Sequence, residues 1–169
     1  SDTTIGNIEL APGKFLNSEN NYVDTSSQNV DQAIRTALET LKNQGCTSFV
    51  AAEAFSVDDP ARENRTVELC KEMGLPGTAT NDISKLYGLK IRTRTAVVNA
   101  SIMPKMLEAA TMTDASIKSA GIESPLMVMR CDGGVMTVDE VRNRPILTIL
   151  SGPAAGVAGA LMYEKLTDG

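Results

Sequence analysis

The sequence predicts an α/β fold in which helices alternate with mainly parallel strands. Helix-like and strand-like apolar patterns follow one another along most of the chain. Hydrophobic residues make up 42% of the sequence, but only 4% of residues are aromatic and none is Trp. The core must therefore be aliphatic, which suits helices packed on a sheet. With 169 residues, the chain has the length of one ordinary domain.

The first 24 residues carry the weakest pattern. Gly, Asn and Ser surround two short apolar runs near Ile8 and Phe15, and Pro12 and Gly13 separate these runs. These turn-forming residues predict a loose hairpin or arm. We therefore divide the chain into an arm over residues 1–24 and an α/β subdomain over residues 25–169.

The subdomain is predicted to begin with a helix and a strand. Thr25 and Gln28 have the spacing of a capping box, apolar residues then recur on one helical face, and Gly45 closes the helix. The mostly apolar run 48–55 predicts a strand that is covered on both sides.

A second helix and a short strand should follow. Asp58 and Asp59 precede Pro60, a residue typical of the first helical position, and Gly74 suits the end of the helix. Residues 77–81 predict another short strand, and residues 82–87 predict a brief helix.

A long helix is predicted from Ile91 to Ala120, with a kink or break at Pro104. The basic residues at its start are Lys90, Arg92 and Arg94, for which solvated charge is the favoured interpretation. Asn99 lies among apolar and small residues, so its amide needs buried partners. We expect it to clamp a neighbouring backbone rather than to contact substrate.

The last third is predicted to hold two strands and two helices. A buried strand over 126–129 leads to Asp132-Gly133-Gly134, Thr137 and Glu140 form a second capping-box pair, and 146–150 reads as a strand. Ser151-Gly152-Pro153 then begins the closing helix.

Asp132, Gly133 and Gly134 form the first candidate site. They follow a predicted strand at its carboxyl end, where open α/β sheets place ligand crevices. Asp132 could hold a metal-bound water or a polar substrate group. A plain turn explains the two glycines equally well.

The closing helix is the second candidate, because it is unusually rich in Gly and Ala. Its start, at Ser151 and Gly152, could face a phosphate, although Ser151 also suits a simple N-cap. Gly156 and Gly159 could merely permit a close helix crossing.

Composition excludes several classes of partner. The net charge is −5 and the isoelectric point is about 4.8, which disfavours nucleic acid and anionic lipid. Three scattered cysteines and no histidine give no metal set. The sequence has no membrane-spanning apolar run and no signal sequence, so we expect a cytoplasmic protein.

The chain resembles the hydantoinase/oxoprolinase (hydantoinase A) family from about Asn29 to Gly159. The strongest match joins the strand that ends in Asp132-Gly133-Gly134 to the segment 150–160, which begins Leu-Ser-Gly-Pro-Ala. A second match is the Arg-x-x-Thr-x-x-x-Asn-Ala pattern from Arg92 to Ala100. A weaker third match runs from Ser56 to Glu63, where Arg62 replaces the usual His. Arg130-Cys131 also departs from the usual Gln-Ser.

The resemblance implies a lobe of an actin-like ATPase, with a ribonuclease H-like fold. It implies a longer parent protein that uses ATP and Mg to open cyclic amides such as hydantoin or 5-oxoproline. The alternatives are a subunit of an ATP-dependent ketone carboxylase and a non-catalytic interaction module. Neither of the superfamily's phosphate-binding hairpins occurs in the sequence, so the chain alone is expected to be inactive and to need no cofactor.

The resemblance also implies partners and structural roles. The partners would be the remainder of the same polypeptide and a second hydantoinase-type subunit. Arg92, Asn99, Pro153, Gly156 and Gly159 belong to the matched motifs and are expected to be structural. The helix from Pro153 would correspond to the superfamily's first connecting helix, which crosses its twin from the other half of the molecule.

Overall fold

The computed structural model describes residues 5–164 and divides the chain into two compact units, Ser1–Pro104 and Lys105–Gly169. Both units contain helices and short strands, so the α/β class is confirmed. None of the helices in the described range is both long and apolar enough to cross a membrane.

The first unit starts with a hairpin. Strands β1 (Ile8–Ala11) and β2 (Lys14–Leu16) pair antiparallel around a turn at Gly13, whose φ of 73° is the left-handed conformation that glycine adopts freely. The side chains of Ser18 and Asn20 hold this region by donating to the carbonyl of Ile5, at 2.6 and 3.1 Å. The predicted domain boundary at residues 24 and 25 stays a prediction.

Helix α1 (Val30–Asn43) begins later than its predicted capping box. Its N-cap is Asn29, and no side chain caps it. The capping role of Thr25 was wrong, because its hydroxyl instead accepts a hydrogen bond from Arg62 at 3.1 Å. The helix end was correct, since Gly45 follows it with a φ of 94°.

A parallel strand pair lies at the centre of the first unit. Strands β3 (Phe49–Ala51) and β4 (Gly77–Ala79) are joined through helix α2 (Ala61–Glu72). Strand β3 ends earlier than predicted, because the N–H of Glu53 donates to a side chain, that of Glu63. The core around this pair consists of Ile34, Leu38, Phe49, Leu69 and Cys70.

Two helices follow β4. Helix α3 (Thr80–Ile83) begins directly at the strand end, two residues earlier than predicted. Helix α4 (Leu89–Ser119) contains Pro104 and continues through it. Of the two outcomes predicted at Pro104, a kink or a break, the break was therefore wrong and the kink stays a prediction.

The second unit holds short elements. Strands β5 (Met127–Met129) and β6 (Val135–Thr137) form an antiparallel hairpin that leads into helix α5 (Val138–Asn143). The capping of α5 was predicted correctly, because the Thr137 hydroxyl accepts from the N–H of Glu140 at 3.3 Å. Strand β6 was not predicted. Strand β5 was predicted to be buried, but Met127 is 45% exposed.

The segment before the last helix forms a 3₁₀ turn (Pro145–Thr148) in place of the strand predicted over 146–150. Its backbone groups pair locally, since Leu147 donates to the carbonyl of Arg144 and Ile149 to that of Ile146, both at 3.1 Å. These local bonds leave the segment without a strand ladder. Helix α6 (Ser151–Glu164) then starts where it was predicted to start.

Candidate functional site

The first unit contains a cluster of buried polar side chains, which we call the polar cluster. Each member is at most 2% exposed. The members are Ser56, Glu63, Thr80, Asn81 and Arg92. Burial of a carboxylate and a guanidinium is costly unless their hydrogen-bonding groups are satisfied.

Glu63 has both carboxylate oxygens satisfied. Oε1 accepts from the backbone N–H of Glu53 at 2.7 Å and from the Thr80 hydroxyl at 2.6 Å. Oε2 accepts from the backbone and side-chain N–H groups of Asn81, both at 2.9 Å. Burial raises the pKa of Glu63, but hydrogen bonds from Thr80, Asn81 and Ser56 outweigh it and hold the pKa below its usual range. The group is therefore ionised at neutral pH.

Arg92 reaches from α4 to three other segments. Its Nε donates to the Thr80 hydroxyl at 2.8 Å, and Nη1 donates to the carbonyl of Leu86 at 2.8 Å. Its Nη2 donates to the carbonyl of Glu53 and to the Ser56 hydroxyl, both at 2.9 Å. The solvated interpretation of Arg92 was therefore wrong, although Lys90 and Arg94 are exposed as predicted.

The two buried charges are linked through hydroxyl groups. Thr80 donates to Glu63 and accepts from Arg92, so one side chain joins both charges. Ser56 makes the same kind of bridge, because it donates to Glu63 and accepts from Arg92. Such shared hydroxyls fix the positions of both charged groups.

Asn99 lies near the polar cluster on α4 and is fully buried. Its amide nitrogen donates to the hydroxyl of Thr78 on β4 at 3.3 Å. The prediction of buried partners was correct, and the expected clamp on a neighbouring backbone stays a prediction. Asn99 thus joins α4 to the central strand pair.

Sequence reasoning gave Glu63 little weight and missed Thr80 and Asn81. A signal for Glu63 was present, because Val67 and Cys70 follow it at helical spacing and Cys70 is buried. A carboxylate on the buried face of a helix must have partners within the protein. No comparable pattern marked Thr80 or Asn81, which belong to a strand end and a four-residue helix.

Exposed apolar side chains lie in the two loops that Arg92 holds. Phe55 is 74% exposed and has a φ of 64°, an uncommon backbone conformation for a bulky residue. Tyr87 is 66% exposed and donates its hydroxyl to Asp58 at 2.7 Å. The hydrogen bond to the Asp58 carboxylate raises the pKa of Tyr87. We call Phe55, Leu86 and Tyr87 the aromatic rim.

The first unit also has a cavity of ≈ 590 Å³ next to the segment 16–22 and α4. Uncharged polar, aliphatic and aromatic side chains and Cys46 line it, and Glu19 is acidic. Its described lining contains neither Lys nor Arg. A phosphate group would therefore find no cationic partner there.

In the second unit, Asp132 lies in the turn between β5 and β6. Its Oδ1 accepts from the N–H of Gly134 at 3.0 Å, and Oδ2 accepts from Arg130 at 2.5 Å. The hydrogen bond from Gly134 and the charge of Arg130 lower the pKa of Asp132. Gly133 has a φ of 83°, as a tight turn requires. These contacts fit the plain turn, and the ligand contacts of Asp132, Gly133 and Gly134 stay a prediction.

The start of α6 lies in the same unit. Helix α6 contacts β5, and the N–H of Cys131 donates to the carbonyl of Leu147 at 2.8 Å, shortly before α6 begins. Ser151 is half-buried and Gly152 is exposed. Leu150, just before the helix, has a φ of 63° and is 74% exposed.

No described atom packs closely on the three glycines of α6. A Cβ added to Gly152, Gly156 or Gly159 would meet no other described atom within 4 Å. Helix α6 has no buried residue, and Pro153 is exposed. The close crossing expected at Gly156 and Gly159 stays a prediction.

A bound magnesium nucleotide would need oxygen donors such as carboxylate side chains. Within residues 5–164, no three His, Cys, Asp or Glu side chains are grouped so as to hold a metal ion. Both oxygens of Asp132 are already occupied within its own turn. Because Mg²⁺ bound with a nucleotide is usually held by one or two carboxylates together with the phosphates, the expectation that this chain alone needs no cofactor stays a prediction.

The sequence is similar to known proteins over most of its length. The family described as Hydantoinase/oxoprolinase matches residues 92–169. An uncharacterized protein of Methanocaldococcus jannaschii is 25% identical over 140 residues, which are 82% of this chain and 21% of that protein. The caprolactamase subunit alpha of Pseudomonas jessenii is 25% identical over 143 residues, 80% of this chain and 20% of that subunit.

A third relative is the acetophenone carboxylase gamma subunit of Aromatoleum aromaticum. It is 24% identical over 142 residues, which are 80% of this chain and 19% of that subunit. The chain therefore spans about a fifth of the length of the curated relatives it matches.

Solved structures share the fold. The ATP-dependent caprolactamase from Pseudomonas jessenii matches 95% of this chain and 23% of its own, with a TM-score of 0.65 and 23% identity. A nucleotide-free acetone carboxylase matches 80% of this chain and 20% of its own, with a TM-score of 0.64 and 22% identity.

Proposed function

The chain belongs to the hydantoinase/oxoprolinase family, and from that premise we propose that the protein is an ATP-dependent hydrolase of cyclic amides of the hydantoin or 5-oxoproline type. The observation that carries the proposal is the double likeness to the caprolactamase, in sequence over 80% of the chain and in structure over 95%. Caprolactam is itself a cyclic amide, so the relative's name indicates the class of bond.

We propose different roles for the two units. The polar cluster gives the first unit fixed loops at the ends of β3 and β4. In the second unit, Asp132, Gly133, Gly134, Ser151 and Gly152 would lie nearest to the nucleotide or substrate. Because the sequence lacks the superfamily's two phosphate-binding hairpins and spans about a fifth of the relatives it matches, the 169-residue chain alone is expected to be inactive.

The test is ATP turnover by the protein as its gene encodes it. ADP release would be measured with hydantoin, 5-oxoproline and caprolactam, each with and without Mg²⁺. We expect at least one cyclic amide to stimulate ADP release and to appear as its ring-opened product. If none of them does so with any copurifying second subunit present, the hydrolase proposal is wrong.

A ketone carboxylase subunit is the second candidate, and a specific observation favours it. The sequence resembles an acetophenone carboxylase subunit, and the fold resembles an acetone carboxylase. In that case ADP release would depend on a ketone together with bicarbonate, and cyclic amides would have no effect. A non-catalytic interaction module would lack Mg²⁺-dependent ATP binding altogether.

A further inference from the structure

We propose that the open edge of strand β3 pairs with an apolar strand from a part of the same polypeptide outside these 169 residues. The surface lies in the first unit, and its role does not depend on the proposed catalytic activity. Three features support it, namely the backbone groups of β3, the helices on both faces of the strand pair, and the cavity beside β3.

Strand β3 presents unpaired backbone groups on the side opposite β4. The N–H of Phe49 donates to the carbonyl of Pro76, just before β4, at 2.9 Å, so the backbone groups of Phe49 point towards β4. The N–H and C=O groups of successive strand residues point to alternate edges, so those of Val50 point the other way. Within residues 5–164, β4 is the one neighbour of β3, and the backbone of Val50 has no partner on the opposite edge.

An open edge at this position is unusual for a folded protein. Val50 is half-buried, and buried backbone N–H and C=O groups are nearly always hydrogen-bonded. Parallel strands occur almost only in sheets that are covered on both faces, and sheets commonly have about four to six strands. The pair of β3 and β4 therefore looks like one part of a wider sheet.

Helices cover both faces of the strand pair. Phe49 belongs to the same buried core as Leu38 of α1, which places α1 on one face. Val50 and Thr78 are partners in the register, so their side chains lie on the other face. There the Thr78 hydroxyl accepts a hydrogen bond from Asn99 of α4. The first unit is therefore layered, with α1 on one side of the strands and α4 on the other.

The cavity of ≈ 590 Å³ lies beside the open edge and is lined by helices of both faces. Leu41 of α1 contributes to its lining, and so do Val97 and Ala100 of α4. Val50 of β3 and Ala52, just after the strand, also line it. In a layered α/β fold, a space bounded by a strand edge and by helices of both faces is the position of the next strand.

The geometry defines the chemistry of the occupant. An extended backbone would pair with the open groups of Val50, and its side chains would pack on α1 on one face and on α4 on the other. Strands that are buried on both faces have nearly continuous apolar sequences. The described lining contains neither Lys nor Arg and has Glu19 as its one acidic residue, which agrees with an uncharged occupant.

The rest of the same polypeptide can supply this strand. The chain spans about a fifth of the length of the curated relatives it matches, so a protein of their length has many further residues. The other strands within residues 5–164 are already paired in their own hairpins, β1 with β2 and β5 with β6. The missing neighbour of β3 is therefore not one of them.

Hydrogen exchange in the protein as its gene encodes it tests the pairing. Mass spectrometry with electron-transfer fragmentation measures single amides, and the matched comparison is Val50, which faces the open edge, with Ala51, which faces β4. With a strand in place, the Val50 amide should exchange within about tenfold of the rate of Ala51, after correction for intrinsic rates, because both belong to one sheet. A Val50 amide that exchanges more than about tenfold faster would overturn the proposal.

A photo-crosslink identifies the occupant. A diazirine-bearing amino acid is placed at Ala52, which is exposed and lines the cavity, and in a control protein at Ala54, which is exposed but outside the lining. We expect position 52, but not position 54, to cross-link to an apolar segment of the same polypeptide outside the 169 residues. An equal mixture of isotope-labelled and unlabelled protein separates cross-links within one polypeptide from those between copies.

Each other outcome of the cross-linking overturns the proposal. Cross-links from position 52 to residues 5–22 alone would show that the first segment of this chain closes the edge. Cross-links between copies would assign the edge to a second molecule. Equal cross-linking from both positions, or none beyond the 169 residues, would show that no outside strand lies in the cavity.

Discussion

The two units differ in how they place the residues of the segments that resemble the hydantoinase/oxoprolinase family. In the first unit, Ser56, Glu63, Arg92 and Asn99 are all buried and hydrogen-bonded. In the second unit, Asp132, Gly133, Gly134 and Gly152 are exposed. Residues of the segments that resemble one family therefore divide into those that hold the fold and those that a ligand or another segment could reach.

The difference also appears in the backbone. Each unit has one described non-glycine residue with a positive φ, Phe55 in the first and Leu150 in the second, and each is 74% exposed. Next to Phe55, buried charges fix the loop. The residues that follow Leu150 form α6, which has no buried residue.

The largest expected effect comes from breaking the polar cluster. Arg92→Ala leaves the buried Glu63 carboxylate without its compensating charge and removes one hydrogen bond from each of the carbonyls of Glu53 and Leu86. We expect a loss of about 3–5 kcal/mol in the free energy of unfolding, measured by urea denaturation of the chain. Arg65→Ala removes an exposed arginine with three acidic partners and should cost far less. Equal losses for both variants would contradict the distinction between buried and exposed charges.

The glycines give the next comparison. A Cβ at Gly77 would lie 2.9 Å from the Cβ of Cys70, so Gly77→Ala should destabilise the first unit by about 1–3 kcal/mol. A Cβ at Gly156 would meet nothing described, and alanine favours helices by about 1 kcal/mol over glycine. Thermal unfolding should therefore show a lower Tm for Gly77→Ala and an equal or higher Tm for Gly156→Ala in this chain.

In the protein as its gene encodes it, Gly156→Leu tests whether α6 has a close neighbour there. If another helix crosses α6 at Gly156, the leucine side chain blocks the crossing and lowers ATP turnover, whereas Gly156→Ala should be milder. Unchanged turnover in Gly156→Leu would reject a close crossing at this position.

Two threonines, one in each unit, allow a comparison with a smaller expected loss of stability. Thr137→Ala removes the side chain that caps α5 and should cost about 1 kcal/mol. Thr25→Ala removes a hydroxyl that caps no helix and only accepts from Arg62, so its effect should be smaller. The urea midpoints of the two variants measure the difference, and a larger loss for Thr25→Ala would contradict the observed N-cap at Asn29.

Low pH should reduce the folding stability of the first unit, because the buried Glu63 carboxylate becomes protonated. The pKa of Glu63 is lowered in the folded state, so its stabilisation is complete above the usual glutamate pKa of about 4.3 and is lost as the pH falls through the folded pKa. The stability difference between wild type and Glu63→Gln should be constant above that pH and shrink below it. A difference that stays constant on acidification would show that Glu63 does not titrate as the structure indicates.

The helices could be predicted from the sequence because their signals are local. Apolar spacing located α1, α2 and α4, and Thr137 with Glu140 located the start of α5. The polar cluster could not be predicted, because its contacts join residues as far apart as Glu53 and Arg92. Since Lys90, Arg92 and Arg94 all carry a positive charge, the sequence did not distinguish the buried Arg92 from its two exposed neighbours.

The errors in the second unit have a different cause. Strand β6 has three residues and depends on the turn at Gly133, and residues 146–150 are apolar but pair within a 3₁₀ turn. Short apolar runs do not distinguish a strand from such a turn. The candidate residues at 132–134 follow β5 and those at 151–152 begin α6, as predicted, and their ligand contacts stay a prediction.

The shared hydroxyls of Thr80 and Ser56 have a consequence for how this protein can evolve or be redesigned. Each one serves a carboxylate and a guanidinium at once, so exchanging any single member strands a polar atom that has no access to water. A first replacement that removes any one of these groups is therefore expected to lower stability. Homologues should either keep the group whole or replace it as a set, and libraries built to alter the rim at Phe55 should leave these positions untouched.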